Sequence, residues 1–359
     1  MIDNLKLISD NQNLIHRLRS FPDLQPYQNR NNVYEGFEIC GKLLRIDFRK
    51  IYENGQLIGY RHFELSISPH YHYNGYLHNG NDFTPKNAQK TIREVLTYLG
   101  LTEKDFPDLQ VVNLEYGLNL IPQTDIKKII SGISYHKKTP FRVSDFEFNK
   151  ITDATKVKRI KAYAKGLQFA DFPQYNIHKN TFRFEVKNKK SSAIRKQGIT
   201  TAMDFFRDEV YLRLSRTLIE EWMQVLIIDL EPNLTNYNRE EKQFLRDHSN
   251  LRKWRSVIVD KNRNKFHRTK QKYFNLLQRN DSVFVEILNL FNDKIFSFFN
   301  GAFLPQKTRP EKSTSTLINK EKTNEKPPIK VVQVSPHARV LNGQSAPVSR
   351  KCIVTQLDI

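Results

Sequence analysis

The sequence has few cysteines and no long apolar run, and both absences exclude classes of protein. Its 359 residues include two cysteines, Cys40 and Cys352. Two cysteines so far apart exclude a disulfide framework and a complete cysteine-based zinc site, and they fit a reducing compartment. No apolar stretch approaches the roughly 20 residues of a membrane span, and the first residues lack the basic start and apolar core of a signal peptide. We therefore expect a cytoplasmic protein without a membrane partner.

Negative charge is scarce relative to positive charge. The sequence has 58 Lys and Arg residues against 38 Asp and Glu residues, which gives a net charge of +20. Such an excess is the electrostatic footprint of a polyanionic partner, and nucleic acid is the first candidate. The hydrophobic content of 38%, including 24 Phe and 15 Tyr, is sufficient for a real core. The protein is therefore expected to fold and to use basic surfaces for binding.

Alternating apolar and polar residues predict several β-strands. Residues 36–68 indicate a hairpin or a short meander with a turn at Asn54 and Gly55, and residues 111–119, 158–169 and 181–187 alternate in the same way. Helical patterns lie between these strands and again after them, and the clearest one begins at Thr84-Pro85 and ends at Gly100. The sequence therefore predicts an α+β fold, in which an antiparallel sheet has helices packed on one face and is followed by a helical region and a disordered C-terminal tail.

Three of the predicted strands each place a chemically useful side chain on a polar face. These side chains are Glu115, Tyr163 and Glu185, and they converge if the strands are neighbours in an antiparallel sheet. Two carboxylates can bind Mg²⁺ or Mn²⁺, which prefer oxygen ligands. A tyrosine hydroxyl is a poor nucleophile at its ordinary pKa, so a metal ion and the ammonium groups of Lys161 and Lys165 would be needed to activate it. The simpler interpretation of each feature is a solvated sheet face or cross-strand packing.

Four segments of the sequence resemble the core of phage and plasmid rolling-circle replication initiators. They are NLEYGLNL (113–120), IKAYAKGLQF (160–169), FRFEVK (182–187) and IRKQGI (194–199). More narrowly, they are similar to the group related to the filamentous-phage gene II protein in Bacteroidetes-type mobile elements. The resemblance follows the element order from about residue 35 to 300 and is specific across about 111–206. It implies that Tyr163 is the nicking tyrosine, assisted by Lys165, and that Glu115 and Glu185 bind the metal ion.

Two features depart from the pattern of this family. Members commonly have an acidic residue between the tyrosine and the lysine, whereas Ala164 stands at that position here. The segment 352–359 resembles the opening of a longer C-terminal region in relatives. The resemblance of this last segment implies, as an expectation, a shortened member of the family.

Basic residues surround the predicted nucleophile and indicate where DNA binds. The residues predicted to contact DNA are Lys161, Arg183, Lys187, Arg195 and Lys196. The expected partners are the origin DNA of a phage, plasmid or mobile element and a host helicase or polymerase. The predicted divisions of the chain are an N-terminal arm (1–34), a catalytic nicking domain (35–235), a basic helical region (236–304), and a disordered linker with a short tail (305–359).

The predicted function is nicking of single-stranded or supercoiled origin DNA, through a tyrosine and a divalent metal ion, to start rolling-circle replication. The alternative is a non-catalytic DNA-binding protein or a decayed initiator. A further alternative places the metal ion on His70 and His72, which flank Tyr71 as in the His-hydrophobe-His nickases. The surrounding residues 68–83 are more typical of a loop, which favours loop packing or DNA contact for the two histidines.

Overall fold

A ten-stranded antiparallel sheet dominates the part of the chain that the computed structural model describes, residues 1–27, 32–39, 43–262 and 264–299. In spatial order its strands are β2 (Gln25–Tyr27), β3 (Tyr34–Ile39), β4 (Leu44–Glu53), β5 (Gln56–Ile67), β1 (Ile2–Ser9), β6 (Gln110–Leu120), β12 (Phe182–Asn188), β11 (Lys158–Ala164), β10 (Phe146–Thr155) and β9 (Arg142–Ser144). A smaller sheet contains, in spatial order, β13 (Val225–Ile227), β7 (Ile133–His136) and β8 (Thr139–Pro140).

Helices connect these strands and continue the chain beyond the last one. They are α1 (Gln12–Arg19), α2 (Pro69–Tyr73), α3 (Pro85–Tyr98), α4 (Ile126–Gly132), α5 (Lys165–Gln168), α6 (Ser191–Arg195), α7 (Asp208–Gln224), α8 (Arg239–His248), α9 (Leu251–Val259), α10 (Lys265–Leu277) and α11 (Val283–Phe298). Within the described ranges, none of these helices is long and apolar enough to cross a membrane. The α+β class predicted from the sequence is confirmed.

Local signals explain where two of the predicted elements begin and turn. The β4–β5 hairpin closes through Asn54 and Gly55, which both have positive φ, as a two-residue turn between antiparallel strands requires. Helix α3 begins after Thr84, whose side chain accepts a hydrogen bond of 3.2 Å from the backbone N–H of Asn87. Both features were readable from the sequence.

The apolar face of the sheet packs against helices α7 and α11. The ring centroid of Phe184 on β12 lies 5.4 Å from that of Trp222 on α7 and 5.8 Å from that of Phe291 on α11. All three side chains are fully buried. Because successive side chains of a strand point to opposite faces, this packing leaves the polar residues of the same strands on the other side of the sheet.

The N-terminal segment, expected to be an arm, supplies an interior strand of the large sheet. In β1, Leu5 pairs with Ile67 of β5 on one side and with Leu114 of β6 on the other. The reason is hydrophobic: Leu5 and Leu7 are completely buried in the core that also contains Leu114. The predicted linker and tail at 305–359 lie outside the described residues.

Candidate active site

The three strands that carry the predicted site are direct neighbours, in the order β6, β12 and β11. Across β12 and β6, Lys187 pairs with Glu115, and across β11 and β12, Lys161 pairs with Glu185. Directly paired residues share a face of the sheet. The register therefore brings Glu115, Glu185 and Tyr163 onto one face, opposite to helices α7 and α11.

A glycine makes room for the carboxylate at the centre of this face. Glu185 pairs with Gly117 of β6, and a Cβ atom at Gly117 would lie 2.7 Å from Cγ of Glu185 and 2.5 Å from the carbonyl oxygen of Phe184. No side chain fits at that distance. The absence of a side chain at Gly117 therefore leaves the space that the Glu185 side chain occupies.

The predicted nucleophile is hydrogen-bonded to one of the predicted metal ligands. The Tyr163 hydroxyl donates a hydrogen bond of 2.6 Å to Oε1 of Glu185, and the tyrosine is 8% exposed. Burial, and then the charge of Glu185, raise the pKa of Tyr163 well above its usual value. Burial also raises the pKa of Glu185. The pair is thus a neutral phenol beside a carboxylate suited to accept its proton.

Lys161 joins the two predicted metal-binding carboxylates. Its Nζ atom forms an ion pair with Glu115 and lies 3.3 Å from Oε2 of Glu185. Lys187 contacts the other oxygen of Glu115 at 2.9 Å. Burial acts to raise the pKa of Glu115, but the charges of Lys161 and Lys187 outweigh it and hold this pKa below its usual value.

Arg183, predicted to contact DNA, is enclosed within the site. Its guanidinium contacts Asp3, donates a bond of 2.5 Å to Oε1 of Glu185, and donates another of 2.5 Å to Oδ1 of Asn119. The residue is 1% exposed. Burial acts to lower the pKa of Arg183. The charges of Asp3 and then Glu185 outweigh burial and raise this pKa above its usual value, so the side chain stays charged. Arg183 therefore neutralises buried carboxylates in this arrangement.

Lys165 lies beside the tyrosine but no longer on its strand. Strand β11 ends at Ala164, and Lys165 begins the short helix α5, whereas the sequence pattern extended the strand to residue 169. Its Nζ atom lies 5.3 Å from the ring centroid of Tyr163 and donates a hydrogen bond of 3.1 Å to Gln168. Burial, and then the charge of Arg183, lower the pKa of Lys165 to about 7.

The remaining predicted DNA contacts lie in two places. Lys161 and Lys187 are partly exposed on the polar face of the sheet. Arg195 and Lys196 are exposed at the end of α6, next to Gln197, whose side chain accepts a hydrogen bond of 2.9 Å from Thr217 of α7. Because α7 packs on the apolar face, Arg195 and Lys196 are not brought together with Tyr163.

The two histidines lie on a helix, α2, and not in a loop. His70 is buried, with Nδ1 3.3 Å from Oδ1 of Asp3 and Nε2 2.9 Å from Oδ1 of Asn81, whereas His72 contacts the hydroxyl of Tyr76. Residues two apart on an α-helix point to different sides. The histidine pair therefore does not form a joint metal site, and His70 instead orients Asp3 beside Arg183.

The sequence reasoning missed two residues of this site. Asp3 lies in residues 1–34, for which the sequence predicts an arm, and a register irregularity between Ile2 and Asn4 interrupts the alternation of β1. Asn119 could have been found, since it follows Glu115 and Gly117 on the polar side of β6. Strand alternation was sufficient to identify Asn119, whereas tertiary pairing was needed to identify Asp3.

The donor atoms of Glu115 and Glu185 fit a hard divalent cation. Oε2 of Glu185 is buried and has the Lys161 ammonium 3.3 Å away, so both carboxylates already meet at one cation. In the part of the chain that the structure describes, no three Asp, Glu, His or Cys side chains are grouped to hold a metal ion. Two carboxylates suffice for Mg²⁺ when substrate phosphate and water complete its shell.

Comparisons with known proteins give distant structural similarity only. No protein-family model matches the chain, and no curated protein matches it. A solved structure of a rolling circle replication initiator protein from Geobacillus stearothermophilus is similar, with 12% sequence identity and a TM-score of 0.35. The similarity covers 67% of this chain and 89% of that chain. These values are too low to assign the chain to a family.

Proposed function

We propose that this protein is a rolling-circle replication initiator that nicks one strand of origin DNA through Tyr163. The observation that carries the proposal is the hydrogen bond between Tyr163 and Glu185 on a sheet face that also holds Glu115 and Lys161. A nucleophile paired with a base that is itself oriented by a third group is the recurrent arrangement for covalent catalysis. The resemblance of the same three strands to rolling-circle initiators supports phosphodiester DNA as the substrate.

The first step uses the buried phenol and its carboxylate partner. Tyr163 Oη attacks the scissile phosphorus while the phenol proton passes to Glu185 Oε1, its hydrogen-bond acceptor. A new bond forms between Oη and phosphorus, and the bond between phosphorus and the 3′ oxygen breaks. The 3′ oxygen takes up a proton from water, and Glu185 releases the phenol proton to solvent, so the products are a 5′-phosphotyrosine and a free 3′-hydroxyl from which synthesis can start.

Three lysine side chains support the charge that develops. Lys165, beside the Tyr163 ring, stabilises the phenolate or the phosphate oxygens, and Lys161 and Lys187 hold the strand on the polar face. Glu115 and Glu185 are the residues that would hold Mg²⁺ or Mn²⁺, which when bound polarises the scissile phosphate. A divalent ion and the Lys161 ammonium would compete for the same carboxylates.

A second basic surface supports binding of DNA outside the site. A groove on helices α8 to α10 has an excess of positive charge, since two acidic side chains, Glu240 and Asp247, line it together with five basic ones, Arg239, Lys242, Arg246, Lys253 and Lys272. Phosphate contacts from such residues give affinity without sequence preference and fix the position of the nucleic acid. This groove provides duplex affinity for the proposed initiator, and it would equally serve a DNA-binding protein that does not nick.

Covalent trapping tests the proposal. The chain is incubated with supercoiled DNA of the element that encodes it and with Mg²⁺ or Mn²⁺, and nicked circles and protein–DNA adducts are measured. We expect the unmodified chain to nick and to attach through one tyrosine, and Tyr163→Phe to do neither. Equal nicking by Tyr163→Phe would contradict the assignment.

Tyr71 on α2 provides a matched control for this experiment. Burial is the larger cause that raises the pKa of Tyr71, and the charge of Asp3 is the next, which places Tyr71 near the site. Tyr71→Phe is expected to keep nicking and adduct formation, since its hydroxyl is not the partner of Glu185. Binding of DNA without nicking by the unmodified chain would favour the non-catalytic alternative.

A further inference from the structure

Four rings cluster in the loops next to the candidate site. The ring of Tyr175 lies 5.4 Å from Phe172, with the planes nearly parallel at 11°, and 5.9 Å from Phe169. The imidazole of His78, from a different loop, lies 4.8 Å from Tyr175. Phe172, at the outer end of the stack, is 44% exposed. We refer to His78, Phe169, Phe172 and Tyr175 as the aromatic platform.

The aromatic platform begins one side chain away from the predicted nucleophile. Lys165 Nζ lies 5.3 Å from the ring centroid of Tyr163 and 5.0 Å from that of Phe169. The same ammonium group therefore faces both rings. A strand that places a phosphate at Tyr163 therefore passes next to Phe169, the ring of the platform nearest to the nucleophile, and its neighbouring bases can meet the other rings.

Two interlocked loops hold the aromatic platform in place. The amide of Asn119 on β6 donates hydrogen bonds of 2.8 Å to the carbonyl of Gly80 and 2.7 Å to that of Asn81. A Cβ atom at Gly80 would lie 2.2 Å from Cδ1 of Ile177, so the two loops meet without space for a side chain. These contacts anchor the platform to the strand that carries Glu115, so its rings are positioned before a ligand arrives.

We infer that the aromatic platform stacks an unpaired base of the DNA strand next to the phosphate that Tyr163 attacks. The inference rests on the proposed function, which identifies the bound strand as the DNA strand that is nicked. A single exposed aromatic residue is normal on a protein surface. Here the exposed ring stacks on Tyr175 within a ring cluster that extends to Lys165 beside the proposed nucleophile. Aromatic rings beside cations are how proteins hold single-stranded DNA.

Equilibrium binding of oligonucleotides tests this inference without any cleavage. Affinity of the full chain is measured by fluorescence anisotropy in EDTA, for a single strand and for the corresponding duplex. We expect Phe172→Ala to weaken binding of the single strand by roughly 5- to 100-fold and Phe172→Trp to retain it. The duplex lacks unpaired bases, so its affinity is expected to stay the same in both variants.

Tyr52→Ala is the matched control, because Tyr52 is an aromatic residue of similar exposure, 52%, on the distant β4–β5 hairpin. It is expected to leave single-strand affinity unchanged. An abasic nucleotide at the stacked position should abolish the difference between the unmodified chain and Phe172→Ala. The inference is overturned if Phe172→Ala binds the single strand normally, or if it loses duplex affinity equally while its thermal unfolding is unchanged.

This result is distinguishable from the outcome of the nicking experiment. Loss of single-strand affinity in Phe172→Ala, together with absence of nicking by the unmodified chain, would support the platform and remove the proposed catalytic function. Nicking that depends on Tyr163, together with normal single-strand affinity in Phe172→Ala, would support the proposed catalytic function and remove the platform.

Discussion

The Tyr163 hydroxyl donates a hydrogen bond of 2.6 Å to Oε1 of Glu185, so the predicted nucleophile and a predicted metal ligand form a proton-transfer pair. Replacing the acceptor should therefore be costly. We expect Glu185→Gln to lower the rate of nicking by about 10²- to 10⁴-fold, the usual contribution of a positioned general base. In the unmodified chain the rate should fall as the pH is lowered through the raised pKa of Glu185, because the protonated acid cannot accept.

Glu64→Gln is the control for this prediction. Glu64 lies on the same polar face, on β5, where it forms an ion pair of 2.6 Å with Lys6 away from the tyrosine. Its replacement should leave the nicking rate and its pH profile unchanged. Equal loss in the two variants would show that the face needs negative charge in general and not a base at Glu185.

The Lys161 ammonium occupies the position between Glu115 and Glu185 that a divalent cation would need. We expect Lys161→Met to raise the affinity for Mn²⁺, since the competing positive charge is removed, and Glu115→Gln to lower it. Titration of Mn²⁺ followed by electron paramagnetic resonance measures both effects without DNA. Unchanged Mn²⁺ affinity in Glu115→Gln would exclude this carboxylate as a ligand.

Arg183 is a buried cation whose loss would leave Asp3 without its guanidinium partner and Glu185 with Lys161 as its remaining cation. We expect Arg183→Met to lower the free energy of unfolding by about 3–5 kcal/mol, the usual cost of breaking a buried ion pair from one side. Exposed Arg195 offers the comparison, and Arg195→Met should change this free energy by less than about 0.5 kcal/mol. Urea denaturation at neutral pH measures both. Similar values for the two variants would mean that water reaches the Asp3 and Glu185 carboxylates.

Lys270 gives a prediction for the pH dependence of stability. It is 8% exposed, donates a hydrogen bond of 2.9 Å to the carbonyl of Met223, and burial followed by the charge of Lys137 lowers its pKa from 10.5 to about 7. Between these two values the unfolded chain binds one more proton than the folded chain, so raising the pH favours folding. The contribution rises by up to about 1.4 kcal/mol per pH unit.

Lys270→Met removes this contribution. We expect the difference in unfolding free energy between the unmodified chain and Lys270→Met to shift in favour of the unmodified chain from pH 7 towards pH 10. Chemical denaturation at a series of pH values measures the difference. Parallel stability curves for the two chains would contradict the lowered pKa.

Local patterns were sufficient for much of the fold. Alternation predicted strands β6 and β12. The residue types at each position predicted the Asn54-Gly55 turn and the Thr84 cap. These signals succeed because they depend on interactions within a few residues. The predicted extension of strand β11 beyond Ala164 was wrong. The backbone enters α5 at Lys165, and the Lys165 side chain lies beside the rings of Tyr163 and Phe169. Tertiary contacts overrode the local alternation there.

The sequence by itself determined which side chains share a face of each strand, because successive residues of an extended chain point to opposite sides. That was enough to select Glu115, Tyr163 and Glu185. Only the tertiary structure decided their partners, because strand order and register are set by the burial of the whole sheet. It placed β1 in the interior, brought Asp3 to Arg183, and positioned Lys161 between two carboxylates that are 70 residues apart in the chain.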